Sequence, residues 1–346
     1  DEIYDNSYAL IIGIDKYENV QNLNYAVKDA VSIQHILVNS FDFPAENTIL
    51  LTDEKATKTS ILQEFSNITK KAGDNDRVLI FFAGHGQTQD LPSGGEMGYL
   101  IPVDGDIANL YMSSIGMNEF RDISNMTNAK HMLYLFDACY GGNSFARRKG
   151  SGSTYTSKYI EKITKNKSRQ IITAGGRGEQ VIEKSEWGHS AFTLHLNRGL
   201  KDGNADMNSD GYITANELGM FLREKVTLDS ENQQTPQYGR MTSQEGEFVF
   251  IRDKNVINTI IDVPTSDIEN NIKIESLQNS KSIKLRSFYL GTVNNDIGLG
   301  IRGGWYIDEG ETEIGLNVSF EDASLNKVTL IQSMGLYYRK YFIPYG

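Results

Sequence analysis

The single cysteine of this 346-residue chain, Cys139, and one of its five histidines, His85, occupy matching positions. Each follows an apolar run and is ringed by glycine: Phe81 to Gly86 reads FFAGHG and Leu135 to Gly142 reads LFDACYGG, with the histidine 54 residues before the cysteine. A cysteine attacks a carbonyl as its thiolate, so it needs a base within reach and N–H donors for the oxyanion that forms. Cys139 is the candidate nucleophile and His85 the candidate base, with the backbone N–H groups of Gly86 and Cys139 as oxyanion donors. Gly84 and Gly86 are expected to let the chain turn sharply beside the imidazole, and Gly141 and Gly142 to leave room for a peptide. A lone cysteine ending a core strand is often merely buried. The paired motifs, not the cysteine alone, argue for chemistry.

Something must bring two such motifs together. Tyr8 to Ile14, Thr48 to Thr52, Arg77 to Ala83, Lys130 to Phe136, Arg169 to Ala174 and Gly246 to Ile251 are short, continuous apolar runs that read as buried strands. Helical spacing lies between them: Ala26, Ala30, Ile33 and Leu37 share one face of Asn24 to Val38, and a second helix is expected over Lys58 to Ala72. Strands alternating with helices predict an α/β fold, a mostly parallel six-stranded sheet covered on both faces. In such sheets ligands gather at the carboxyl ends of the strands. His85 and Cys139 would both emerge there.

Beyond Arg252 the pattern changes to alternation. Ile283 to Phe288, Glu313 to Phe320 and Lys327 to Gln332 read as half-buried strands, with turns at 294–296, 308–310 and 321–323. The expected organisation is an α/β unit over 1–254, a linker over 255–271 and an all-β domain over 272–346. With 34 Lys+Arg against 45 Asp+Glu, the net charge of −11 argues against a nucleic-acid partner. No run of 18 apolar residues predicts a membrane span. One cysteine and no signal peptide within the numbered chain favour a cytoplasmic location, with a secreted or periplasmic one as the alternative.

The two motifs resemble the signatures of the caspase and metacaspase family, and the likeness extends over residues 8–251. Leu10 to Ile14, Leu23 to Ala30, Gly188 to Thr193 and Gln234 to Gln237 add to it, in a form typical of bacterial caspase-like peptidases. The resemblance implies a caspase-like three-layer fold and a cysteine endopeptidase with a Cys139–His85 dyad. It departs from animal caspases two residues before the cysteine, where Asp137 replaces their glutamine. In metacaspases that acid and a second one, here Asp29, form a negative specificity pocket; the cysteine that precedes the second acid by three residues there is Ala26 here. Two carboxylates facing one cavity hold a guanidinium or ammonium by charge-assisted hydrogen bonds. The implied substrates are proteins or peptides with Arg or Lys before the cleaved bond.

Two further stretches carry chemistry. Asp206, Asn208, Asp210, Tyr212 (by its carbonyl), Thr214 and Glu217 fall at positions 1, 3, 5, 7, 9 and 12 of a twelve-residue calcium-loop pattern, with Gly211 at the sharp turn. Calcium is the ion this loop would take; catalysis needs no cofactor. A loop that keeps the turn without useful affinity is the alternative. From Arg147 to Arg169 there are eight basic residues and one acid, Glu161, beginning in a Gly/Ser/Thr-rich segment that reads as a loop. Such a loop near a pocket for basic residues is an expected self-cleavage site, at Arg147, Arg148 or Lys149. Two other functions remain open: an inactive caspase-like scaffold acting through its C-terminal β domain, which would bind a protein partner, and a small-molecule amidohydrolase.

Overall fold

A computed structural model describes residues 3–139, 157–176, 178–251, 284–293, 296–307, 312–320 and 331–340; the last four segments and positions 139, 157 and 158 are described by their backbone. The chain divides into two compact units, Asp1–Asp262 and Val263–Gly346.

In chain order, the first unit begins with strand β1 (Ser7–Gly13), helix α1 (Ala26–Ser40), β2 (Thr48–Thr52), α2 (Lys58–Lys71) and β3 (Arg77–Ala83). A small antiparallel sheet follows, from β4 (Gly86–Asp90), β5 (Glu96–Leu100) and β6 (Ile115–Gly116), with α3 (Leu110–Ser113) before β6 and α4 (Met117–Asn125) after it. Then come β7 (His131–Cys139), α5 (Ser157–Lys165), β8 (Ser168–Gly175), β9 (Glu183–Lys184), β10 (His189–Ser190) and α6 (Ala191–Leu200). The unit ends with β11 (Tyr212–Thr214), α7 (Ala215–Asp229), β12 (Gln237–Arg240) and β13 (Val249–Ile251).

Six strands form the central sheet in the order β12-β8-β7-β3-β1-β2. Five are parallel; β12 closes one edge antiparallel to β8. Strand side chains alternate between faces, so each strand feeds two cores. Ala9, Ile11, Leu79, Phe81, Leu133 and Leu135 join the core under α1, α6 and α7. Leu10, Ile12, Val78, Ile80, Phe82, Met132, Tyr134 and Phe136 join the core under α2 and α4. Helices on both faces of one sheet make a three-layer sandwich, the caspase-like architecture.

The expected sixth strand is in the wrong place. Val249–Ile251 pairs with β11 in a separate two-stranded sheet, and Gln237–Arg240 takes the edge position instead. The cause is that Phe248, Val249 and Phe250 are fully buried, an apolar signal that any buried strand would give. Gln237, Tyr238, Gly239 and Arg240 are half-buried at an edge and carry no apolar run. The basic stretch also splits. Lys165 pairs with Glu161 on α5 and Lys167 with Asp74, while Arg169 is 3% exposed and donates to the carbonyls of Ser124, Thr127, Lys130 and Ser168. It is a core residue of β8, within the strand expected from Arg169 to Ala174.

In the second unit, β14 (Lys284–Val293), β15 (Asp296–Ile307), β16 (Thr312–Phe320) and β17 (Ile331–Lys340) form a four-stranded antiparallel sheet in sequence order. The sequence pattern misses β15, whose glycines at 298, 300, 303 and 304 dilute its alternation. It also places the last strand several residues early.

Candidate functional site

The chain's path places the site. After β1 it moves outward to β2, then returns to the other side of β1 for β3 and continues to β7 and β8. The reversal leaves a crevice at the carboxyl ends of β1 and β3, where open α/β sheets bind ligands. Ala83, the last residue of β3, pairs with Asp137 of β7. His85 and Cys139 are each two residues beyond that pair. Between Phe136 and Cys139 the register with β8 shifts, so that Cys139 pairs with Gly175.

His85 is held on three sides. Its backbone N–H donates to the Tyr17 hydroxyl at 2.8 Å, and the Tyr17 ring leans on the imidazole at 4.9 Å between centroids. Its Nε2 lies 2.7 Å from the Gln21 carbonyl. A carbonyl only accepts, so Nε2 carries the hydrogen and Nδ1 is the basic nitrogen of the neutral ring. Gly84 is required for a different reason from the one expected. A Cβ there would collide with the Tyr17 hydroxyl, so the glycine admits a close approach; neither Gly84 nor Gly86 has a left-handed backbone, and Gly86 opens the extended strand β4.

Asp137 continues the odd-numbered face of β7 that Leu133 and Leu135 direct towards α1 and α6. Its Oδ2 accepts hydrogen bonds from the hydroxyls of Ser190 (2.5 Å) and Thr193 (2.6 Å). Its Oδ1 is buried without a partner. Asp29, on α1, is 1% exposed; Oδ1 lies 2.5 Å from His189 Nδ1 and Oδ2 accepts from the Ser190 N–H at 3.2 Å. Burial raises the pKa of both acids, and for Asp137 the Asp29 charge adds to it. Burial likewise raises Glu183, with Asp29 and Asp15 adding to the effect. Asp29, Ala26, His85, Gly86, Asp137, Glu183 and Ser190 all line one cavity of about 770 Å³.

Sequence reasoning missed Ser190, Thr193, His189, Glu183, Tyr17 and Gln21. His189, Ser190 and Thr193 lie in the Gly188–Thr193 stretch that adds to the family likeness, though without an assigned role; the Ser190 hydroxyl accepts from the Thr193 N–H as the cap of α6. That both hydroxyls also donate to an acid 53 and 56 positions away is a property of the packing.

Similarity to known proteins follows the same residues. The family model described as "Caspase domain" matches residues 6–245. The chain belongs to the caspase-domain family. Metacaspase-1A of Aspergillus oryzae is 31% identical over 150 residues, 39% of this chain and 34% of that protein. Metacaspase-1 of Saccharomyces cerevisiae is 27% identical over 146 residues, 39% of this chain and 33% of that protein. The aligned stretch thus spans about a third of these metacaspases. Among solved structures, protein GSU0716 from Geobacter sulfurreducens superposes with a TM-score of 0.49 at 15% identity, over 72% of this chain and 97% of that one.

The remaining expected residues lie apart from the caspase-domain cavity or outside the described residues. Arg147, Arg148 and Lys149 are outside them. Asp206, Asn208 and Asp210 sit in the turn after α6, Tyr212 and Thr214 on β11 and Glu217 in the first turn of α7; none lines the cavity. Thr214 is the N-cap of α7, forming a reciprocal capping box with Glu217. Burial pushes the Glu217 carboxyl up to about 7, opposed by its hydrogen bonds from Thr214 and aided by Asp210 and Asp206. Among the described residues, no three His, Cys, Asp or Glu side chains converge tightly enough to hold a metal as they stand. No described helix is long and apolar enough to cross a membrane.

Proposed function

We propose that this caspase-domain protein is a cysteine endopeptidase that cleaves after Arg or Lys. The observation that carries the reading is the partnerless, buried Oδ1 of Asp137, beside Asp29 and in the same cavity as His85. A buried carboxylate oxygen without a donor costs free energy that an incoming guanidinium or ammonium offsets. Ser190 and Thr193 hold the other oxygen, so the free one is fixed in direction.

In the proposed reaction the Cys139 thiol gives its proton to His85 Nδ1, and the thiolate attacks the carbonyl carbon after the basic residue. The Gln21 carbonyl keeps the ring in the tautomer that can accept this proton and stabilises the imidazolium that results. N–H groups of Gly86 and Cys139 hold the oxyanion. His85 then protonates the leaving amine, the C–N bond breaks, and a thioester remains. Water, deprotonated by His85, hydrolyses it and restores the thiol.

The same specificity makes the Arg147-Arg148-Lys149 segment a substrate held at high effective concentration by its own chain. Self-cleavage after Arg148 or Lys149 follows, dependent on Cys139. Fluorogenic peptides ending in Arg, Lys or Asp, assayed beside a Cys139→Ala control, test the assignment. Turnover of Arg and Lys peptides by the wild type alone supports it; Asp preference, or full activity in the control, overturns it. Mass spectrometry of the two proteins tests self-cleavage separately, and identical nicking in both would refute it.

A further inference from the structure

The turn from Asp206 to Glu217 is independent of the peptidase cavity. Ser209 and Gly211 adopt left-handed backbones (φ 57° and 86°), which turns the polar side chains of the loop onto its own N–H groups. Asp206 accepts from Asp210 and Gly211, Asn208 from Asp210, and Asp210 from Tyr212. Loops bristling with acids adopt such turns without binding anything, so these bonds alone assign no ligand.

Glu217 is what points to one. It is 2% exposed and its Oε2 accepts from both the N–H and the hydroxyl of Thr214, at 3.0 and 2.8 Å. Its Oε1 is buried with no partner. The nearby charges that act on this carboxyl are those of Asp210 and Asp206, both like-signed. Three acids placed so, with one oxygen left unsatisfied at the buried end, call for a cation. A second feature concerns the back of the loop. Calcium loops of this length usually occur in pairs, joined by a short strand contact. Here β11 pairs with β13 of the same domain, Tyr212 with Ile251 and Thr214 with Val249. Arg77 and Tyr4 grip Val249 in turn, through its carbonyl and its N–H. The core itself stands in for the missing partner loop.

We propose that Asp206, Asn208, Asp210, the Tyr212 carbonyl and Glu217 form a calcium site that ties α6, α7 and β13 together. These five groups, with water completing the shell and a carboxylate at position 12, suit calcium over the smaller, more strictly octahedral magnesium. Binding draws Asp206 and Asp210 away from loop N–H groups towards the ion, and Glu217 contributes Oε1 while Oε2 keeps its cap. The Thr214 hydroxyl stays with the cap and is not a direct ligand.

Thermal unfolding and calorimetric titration of the full chain, after chelation, test the site. Calcium at a hundredfold excess over its Kd should raise Tm by about 5 °C or more. Terbium should give luminescence sensitised by Tyr212. Glu217→Gln is the diagnostic variant, because glutamine still accepts from Thr214 and keeps the cap. Its calcium-free Tm should equal the wild type's at pH 5 and be no lower at pH 8, while its calcium affinity falls at least tenfold. Asp210→Asn, which keeps the bond from Tyr212, should lose affinity likewise and serves if Glu217→Gln does not fold. No calcium-dependent rise at millimolar concentration, an equal rise with magnesium, or an unchanged rise in these variants would overturn the proposal. The readouts need no peptidase activity, so the site stands or falls separately from the catalytic reading.

Discussion

Asp137 and Glu217 are both buried with one carboxyl oxygen lacking a partner among the described residues, and they flank the same helix. Asp137 is held by Ser190 and Thr193, which start α6; Glu217 lies beyond the turn that follows its end. Their surroundings differ in kind. Around Asp137 the donors are hydroxyls fixed by the core and by a helix cap, and the residue lines a preformed cavity. Around Glu217 the neighbours are other acids held by loop N–H groups, which a cation can draw away. A rigid frame selects a guest by shape and direction, as a planar guanidinium demands. A pliable ring of oxygens suits a spherical ion. Similar residues would thus make two different sites, as proposed above, because the backbone around them differs.

The largest effect should come from the proposed dyad of Cys139 and His85. Cys139→Ala or His85→Ala should each lower kcat for Arg peptides by a factor of a thousand or more, since the two act as one unit. The double variant should be no worse than either single, and calcium-dependent stability should persist in all three. Additive losses in kcat would mean that the residues do not work together.

Next in size is Asp137→Asn, which keeps the bonds from Ser190 and Thr193 but removes the charge. It should cut kcat/KM for Arg peptides by about tenfold to a hundredfold, the worth of a charge-assisted contact. Asp29→Asn should act in the same direction. An unchanged preference for Arg over uncharged side chains in the double variant would place the specificity pocket elsewhere.

These residues also mark how far the sequence could be read. The buried parallel strands were legible because a core strand in this fold is apolar at consecutive positions, as in Val78 to Ala83. His85 and Cys139 stood out because they come at the ends of such strands, and Asp137 through the family resemblance; His85 and Asp137 line one cavity. Gln237–Arg240 was not legible, since an edge strand needs no apolar run. Nor were Ser190 and Thr193, whose capping pattern conceals their second role, or the pairing of β11 with β13, which depends on residues far apart in the chain. Local pattern marks elements and strand ends; long-range hydrogen bonds leave little local trace.

A smaller effect tests the rigidity of the first site. Tyr17→Phe removes the acceptor of the His85 N–H and leaves the ring contact in place. It should lower kcat by about threefold to tenfold with little change in KM, the range of one neutral hydrogen bond. A large rise in KM instead would mean that Tyr17 touches substrate.

The smallest effect is a pH dependence of stability, and it can weigh the two sites against each other. Burial raises the pKa of Asp29, Asp137 and Glu217, so the folded protein keeps protons that the unfolded chain gives up near pH 4. Groups with raised pKa values contribute stability that is full below the unfolded value and lost as pH rises through the folded one. The calcium-free, ligand-free protein should therefore lose a few degrees of Tm between pH 5 and pH 8 from these groups. An arginine amide should restore the share due to Asp29 and Asp137, and calcium the share due to Glu217. The helix between the sites has ten residues, about 15 Å of rise, and they share no side chain. Their rescues should therefore add. In Asp137→Asn the arginine amide should lose its effect while calcium keeps its own, and in Glu217→Gln the reverse. If one ligand restored both shares, the two acids would be parts of a single coupled site, and the contrast between rigid pocket and pliable loop would fail.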